Sequence, residues 1–275
     1  MEQLRGKVAV VTGAGSGIGR ALVRRLAAEG MRVVAADVEG IALAETIDGL
    51  DRTSAFVADV ARFEDVAALA EHAYEIFGST ELLCNNAGVF AGGFMWERPA
   101  SDFEWTLGVN LWGILNAVRA FVPRMLAAAM PAHIVNTVSM AGLCSNAYSG
   151  PYTISKFAAL AATECLAHDL RAINAPIGVS AVVPAAVDTR IASSARNRPD
   201  ALAGQHSEDA VFVERALGDL TTKQGAPPEE VAALIVDGVR TGQFLIPTKP
   251  SYAVQLGERF DALLEKQLPP MPDFD

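Results

Sequence analysis

The sequence predicts an α/β fold: a doubly wound parallel sheet of about seven strands, with helices on both faces. Three observations carry this expectation. Short β-branched runs alternate with Ala/Leu-rich segments of helical period along the whole chain, an order that implies a parallel sheet between two helix layers. A chain of 275 residues with 51% hydrophobic and 20% charged residues has the composition of an ordinary globular protein, and one large core is its economical solution. A glycine-rich turn, TGAGSGIG, sits directly between the first strand and the first helix candidate.

In chain order, the expected strands are KVAVVT (7 to 12), RVVAAD (32 to 37), SAFVADV (54 to 60), ELLCNNAG (81 to 88), HIVNTVS (133 to 139), IGVSAVVP (177 to 184) and FLIP (244 to 247). The clearest helix covers 18 to 29. Ile18, Leu22 and Leu26 recur at four-residue spacing, Arg20, Arg24 and Arg25 lie off that stripe, and Gly30 stands where the helix would stop. Residues 188 to 226 show no clear period and exceed the usual length of compact α/β connections, so a lid or substrate-binding loop is expected there. A C-terminal extension follows from about 249 to 275, and Pro269, Pro270 and Pro272 exclude regular helix after Lys266. No repeat or low-complexity linker interrupts the chain, which reads as one domain over 1 to 275.

Charge and cysteine content narrow the partners. Lys and Arg number 22 against 32 Asp and Glu, and a net charge of −10 disfavours nucleic acid and anionic membrane surfaces. Cys84, Cys144 and Cys165 lack zinc-ligand spacing and read as reduced, small core residues. His72, His133, His168 and His206 also lack ligand spacing, so no metal is expected. The first residues carry no signal pattern and no apolar run reaches about 18 residues, so a cytoplasmic location is expected.

The chemistry begins at the glycine turn. Gly13, Gly17 and Gly19 permit positive φ and a close backbone approach, while the helix that follows offers unpaired N–H groups to a pyrophosphate. Asp37 ends the second strand where a carboxylate can accept from an adenosine ribose diol. It would repel a 2′-phosphate, and Ser16 supplies no cation to attract one, so NAD is expected over NADP. Further on, in PYTISK, Pro151 suits a first helical turn and Tyr152 and Lys156 share one helical face. A cation about 4 Å from a partly buried phenol contributes up to roughly 4 kcal/mol, which would bring a group of pKa near 10 toward neutrality. Ser139 closes an apolar strand, where open α/β sheets place ligands. Asn110 lies in the apolar stretch GVNLWGILNAV, where a buried amide needs a partner such as a bound water.

Taken in order, TGAGSGIG, Asp59-Val60, Asn85-Asn86-Ala87-Gly88, Asn110, Ser139 and Tyr152-Thr153-Ile154-Ser155-Lys156 resemble the motif series of the classical short-chain dehydrogenase/reductase family, over roughly 7 to 190. The resemblance implies a Rossmann-type domain, an active site at the C-terminal strand ends, and a homotetramer or homodimer. It also implies roles. Tyr152 would be the general acid/base, Lys156 would hold the nicotinamide ribose and lower the tyrosine pKa, Ser139 would bind the substrate oxygen, and Asn110 would seat a proton-relay water. The cofactor would be held by Gly13, Gly15, Ser16, Gly17, Ile18, Gly19 and Asp37, by Asp59 and Val60 at adenine, and by Asn86, Ala87 and Gly88. Tyr152, Lys156, Pro184, Val187 and Thr189 would complete its contacts. One departure stands out: the family shows Pro-Gly after the sixth strand, whereas this chain has Pro184-Ala185, whose extra Cβ would tighten the nicotinamide pocket or alter its loop.

The expected activity is NAD(H)-dependent interconversion of a secondary alcohol and a ketone, with a small-molecule substrate of hydrophobic or aromatic character. Phe90, Phe94, Met95 and Trp96, with Met140, Leu143 and Tyr148, flank the presumed centre and suggest that lining. Arg190, Arg196 and Arg198 read as solvated loop residues or as receivers of an anionic substrate. Two alternatives remain: an extended-type epimerase or dehydratase, disfavoured by the glycine spacing and the absence of a sizeable C-terminal substrate domain, and a non-catalytic NAD-binding regulator, disfavoured by the intact set Asn110, Ser139, Tyr152 and Lys156.

Overall fold

The computed structural model describes residues 1, 3–204 and 207–272; His206 lies outside them. Seven parallel strands, β1 (Val8–Thr12), β2 (Arg32–Asp37), β3 (Thr53–Val57), β4 (Leu82–Asn85), β5 (Ala132–Thr137), β6 (Ile177–Val183) and β7 (Leu245–Pro247), form one sheet in the order β3-β2-β1-β4-β5-β6-β7. All seven expected strands are present. The strands are shorter than three of the apolar runs suggest: 58 to 60, 86 to 88 and 138 to 139 lie beyond the strand ends, although Ala58 N still donates to the Asp37 carbonyl (3.1 Å) and Val138 N to the Val182 carbonyl (2.8 Å). These displaced residues form the rim of the cleft described below.

Side chains alternate across the sheet and fill two cores. Ala9, Val11, Val33 and Ala35 face one layer with Leu22, Leu26, Val231 and Ile235, whereas Val10, Val34 and Ala36 face the other with Leu69, Phe121 and Met125. The first layer is α1 (Gly17–Ala28) packed on α8 (Pro228–Thr241); the second includes α3 (Phe63–Phe77), α5 (Gly113–Ala128) and α6 (Gly150–Ala172). Within α1, Leu22 and Leu26 are wholly buried and Gly30 (φ +84°) terminates the helix, as its spacing predicts. The remaining helices are α2 (Gly40–Ile47), α4 (Ala100–Leu107), α7 (Glu208–Gln224) and α9 (Tyr252–Leu264).

The stretch 188 to 226 differs from expectation. It holds two short 3-10 turns, Ile191–Asn197 and Asp200–Leu202, and then the 17-residue helix α7. Val213, Ala216, Leu217 and Leu220 form a helical stripe on α7, but this stripe faces the cleft instead of a core. The cysteines divide: Cys84 and Cys144 are buried, while Cys165 is exposed on α6. Among the described residues, no cluster of His, Cys, Asp or Glu has the arrangement of a metal site, and no helix is long and apolar enough to cross a membrane.

His133 on β5 is 2% exposed and shares a 2.7 Å hydrogen bond with the Ser180 hydroxyl of β6. Burial pushes its imidazole down to about 4 from an ordinary value of 6.5. Between those values the unfolded chain binds a proton that the folded chain refuses, so stability falls as pH falls, by about 3 kcal/mol once both have been passed. In His133→Gln this acid slope is expected to disappear. The gap between the urea midpoints of the native protein and the variant should close steadily from pH 7 to pH 4.5, and a pH-independent gap would contradict the assignment.

Candidate active site

The strand order reverses on either side of β1, so the crevice beyond the C-terminal ends of β1 and β4 is where an open α/β sheet accepts a ligand. A cleft of about 540 Å³ lies there. Of the residues singled out from sequence, Gly13, Ser16, Gly17, Ile18, Asp37, Asp59, Val60, Asn86, Ala87, Gly88, Ser139, Tyr152, Lys156, Pro184, Val187 and Thr189 line it. Gly15, Gly19 and Asn110 stand behind the wall.

The glycine turn is shaped by close contacts. Gly13 has φ +65°, and a Cβ there would lie 2.7 Å from the Ala87 Cα; a Cβ on Gly19 would overlap the Gly13 carbonyl oxygen. Helix α1 begins with no acidic residue in its first turn, and its N-cap Ser16 makes no side-chain capping bond. Its first N–H groups therefore face the cleft without a side-chain acceptor, as an anion-binding helix terminus requires. Asp37 is fixed by two backbone donors, Gly15 N to Oδ2 at 2.7 Å and Glu39 N to Oδ1 at 2.9 Å. Each carboxylate oxygen keeps accepting capacity for a ribose hydroxyl. A dinucleotide with an unmodified adenosine ribose fits this cradle.

The strand ends are held open by polar side chains bonded to backbone. Thr12 Oγ1 accepts from Asn86 N (3.1 Å) and Ala87 N (3.2 Å), and Asn86 Nδ2 returns a bond to the Thr12 carbonyl at 3.1 Å. Asp59 Oδ1 accepts from Ala61 N at 2.9 Å, fixing the turn after β3. Asn110 sits in a π-helical turn, Gly108–Trp112, between α4 and α5. Its Oδ1 accepts from Val89 N (2.8 Å), and its Nδ2 donates to the Val89 carbonyl (3.0 Å) and to Ser155 Oγ (2.8 Å). The amide thus finds partners in the Val89 backbone and the Ser155 hydroxyl.

At the other end of the cleft, Pro151 opens α6 and places Tyr152 and Lys156 one turn apart. The Tyr152 ring packs 5.1 Å from Phe90, and its hydroxyl lies beside that of Ser139. Burial raises the phenol above its ordinary value, opposed by the neighbouring Ser139 hydroxyl. Lys156 Nζ donates to the Thr137 carbonyl at 2.9 Å, lies 5.7 Å from the Tyr152 ring centre, and is pushed down to about 8 by burial. The expected lowering of the tyrosine by the lysine is therefore not what this arrangement produces: desolvation dominates both groups, and the ammonium points at a carbonyl.

Several wall residues depart from expectation. Phe90, Met140 and Tyr148 line the cleft with Phe212, Val213, Leu217 and Leu220 of α7, which sequence reasoning missed. Phe94 and Trp96 stack on each other at 4.7 Å with Trp96 77% exposed, so they project outside. Ala185 is absent from the positive-φ residues, and its methyl joins a small apolar cluster with Met140 and Cys144, so no glycine is needed there. Arg198 is not solvated: it pairs with Asp102 at 2.6 Å and lies over Trp105. The same carboxylate faces Arg98, which is buried and reaches Asp209 of α7 at 3.1 Å. This cluster roots the first turn of α7 to the body of the protein.

Comparisons with known proteins agree with this geometry. A family model described as short chain dehydrogenase matches residues 7–200. A C alpha-dehydrogenase from Sphingobium sp. (strain NBRC 103272 / SYK-6) is 32% identical over 276 residues, spanning 98% of this chain and 89% of that protein. A 1-deoxy-11-beta-hydroxypentalenate dehydrogenase from Streptomyces avermitilis is 34% identical, spanning 94% of this chain and 90% of that protein. Among solved structures, a short chain dehydrogenase/reductase from Burkholderia phymatum in complex with NAD matches with a TM-score of 0.96 at 40% identity, covering 99% of each chain. With most of its length matched by the family model and the hydroxyl, phenol and amine brought together at one cleft, the chain belongs to the short-chain dehydrogenase family of oxidoreductases.

Proposed function

We propose that this protein interconverts a secondary alcohol and a ketone with NAD(H), using Tyr152 as the general acid/base. The observation that carries the reading is the convergence of Ser139, Tyr152 and Lys156 on one cleft, with the phenol and amine one helical turn apart on α6. NAD, when bound, supplies the acceptor for the hydride leaving the alcohol carbon, and NADH returns it in the reverse direction. The residues Gly13, Ser16, Gly17, Ile18 and Asp37 would hold its adenosine and pyrophosphate end, with Asp59, Val60, Asn86, Ala87 and Gly88 beside them and Pro184, Val187 and Thr189 opposite.

The protein's own part is to position and to move one proton. In reduction the protonated Tyr152 hydroxyl gives its proton to the nascent alkoxide. In oxidation it is the phenolate form that takes the hydroxyl proton of the substrate, so oxidation draws on the deprotonated fraction and gains as pH rises. Ser139 lines the cleft beside that phenol, so its hydroxyl fixes a substrate oxygen within reach of the same group. Lys156, held by the Thr137 carbonyl, supplies positive charge beside the phenol and a donor toward the cleft. Asn110 acts at one remove, locking Val89 and the Ser155 hydroxyl behind α6. Phe90, Met140, Leu217 and Leu220 wall the reacting end and favour a bulky apolar or aromatic alcohol over a polyol, whose many hydroxyls would find few partners.

Replacing Tyr152 with Phe removes only the hydroxyl, so kcat is expected to fall at least about 10²-fold with NADH affinity nearly unchanged. Turnover near that of the native protein, followed at 340 nm, would refute the role. Lys156→Ala is expected to weaken NADH binding and lower kcat together, and an unchanged dissociation constant would separate the lysine from the cofactor. Across a panel of alcohols, alicyclic and aromatic secondary alcohols should exceed polyols in kcat/KM; the opposite order would overturn the apolar-substrate reading.

A further inference from the structure

Two residues beyond Asp37, Glu39 ties the turn after β2 to the segment after β6. Its Oε2 accepts from Arg190 Nη2 at 3.1 Å and from Arg196 Nη2 at 2.9 Å, and its Oε1 accepts from Arg196 Nε at 3.1 Å. Arg196 is also placed by its own turn, donating Nη1 to the Ser193 carbonyl at 2.9 Å and the Arg190 carbonyl at 3.1 Å. Its guanidinium position therefore does not depend on Glu39 alone. Asp37, Glu39, Arg190 and Arg196 all line the cleft, and the Glu39 N–H is itself bonded to Asp37. The hydrogen bonds from Arg196 hold the Glu39 carboxyl below its ordinary value, so two carboxylates and two guanidiniums stand together with no net charge.

These ion pairs are poorly placed to stabilise the fold. The Arg190, Arg196 and Glu39 side chains are 46%, 29% and 23% exposed, and pairs so open to water contribute about 1 kcal/mol or less. They are well placed to decide what the arginines bind, because a guanidinium fork matches phosphate as readily as carboxylate. We propose that Glu39 is a second determinant of dinucleotide choice: it occupies Arg190 and Arg196, two cations that would otherwise receive a 2′-phosphate on the adenosine ribose. The proposal rests on NAD binding in this cleft as set out above. Asp37 acts against the phosphate by repulsion, whereas Glu39 acts by competition for its receptors. Neutralising Asp37 alone leaves those receptors filled.

The test measures binding, through the fluorescence of NADH and NADPH titrated with protein. Five proteins are compared: the native chain, Asp37→Asn, Glu39→Gln, the double variant, and the double variant carrying Arg190→Met and Arg196→Met. In the Asp37→Asn background, Glu39→Gln is expected to shift the NADPH:NADH affinity ratio at least about tenfold toward NADPH, the yield of one charge-assisted contact. Removing the two arginines should return the ratio to that of Asp37→Asn. Each ratio is taken within one protein, so a loss of folded fraction cancels. A ratio unmoved by Glu39→Gln in both backgrounds, or a gain that survives loss of the arginines, would overturn the proposal while leaving NADH binding intact. Failure of the native chain to bind NADH at all would overturn the cofactor reading and this inference with it.

Discussion

Because all seven strands run in one direction, all seven C-terminal ends meet at one edge of the sheet, and much of the backbone that leaves them runs out of ladder partners within a few residues. The cleft is built from that surplus. Residues after β3, β4, β5 and β6 diverge around the β1/β4 boundary, and each diverging segment needs substitute hydrogen-bond partners. Thr12 and Asn86 serve each other's backbone across β1 and β4, Asn110 serves Val89, and Ser194 Oγ serves both the N–H (2.8 Å) and the carbonyl (3.2 Å) of Phe90. Polar side chains that look catalytic in a motif are thus first of all the clamps that keep the crevice open.

The same enclosure sets the electrostatics. Tyr152 and Lys156 are taken out of water together, and desolvation favours the uncharged form of each, moving the phenol up and the amine down to about 8. The neighbouring Ser139 hydroxyl opposes the rise of the phenol, and the amine is held by the Thr137 carbonyl. Burial therefore drives the two groups apart on the pH scale, from ordinary values of 10.0 and 10.5 to a phenol above 10 and an amine at about 8. Thr137 ends β5 and Ser139 follows two residues later, so one strand terminus and the turn after it flank both members of the pair.

Much of this was legible in the sequence because it is local. Apolar runs, the spacing of Gly13, Gly17 and Gly19, and the four-residue step from Tyr152 to Lys156 need only a strand or a helix to acquire meaning. What escaped was non-local. The stripe Val213, Ala216, Leu217 and Leu220 has helical period, but it lies among Glu214, Arg215, Gly218 and Asp219 and faces an open cleft, so no core-facing pattern announces α7. Arg190, Arg196 and Arg198 read as solvated because their carboxylates, Glu39 and Asp102, lie more than ninety positions away, at separations of 151, 157 and 96 residues. The cluster Phe94, Met95 and Trp96 read as pocket lining, yet its direction is set by the Gly93 turn (φ +128°) and the bridge to Ser149, which carry the rings outward.

The root of α7 gives the wall of the cleft a particular mechanical character. Asp209 is gripped by Arg98 and accepts from the Phe94 N–H at 2.6 Å, while Arg98 shares Asp102 with Arg198, all at one end of the helix. Severing such a cluster strands a buried charge, so this end resists change. About two and three turns further along, Leu217 and Leu220 face the cleft, where exchanging one hydrophobic side chain for another alters shape with little energetic penalty. A helix with an immovable foot and an interchangeable blade lets the profile of the binding space be recut while the scaffold beneath it keeps its form.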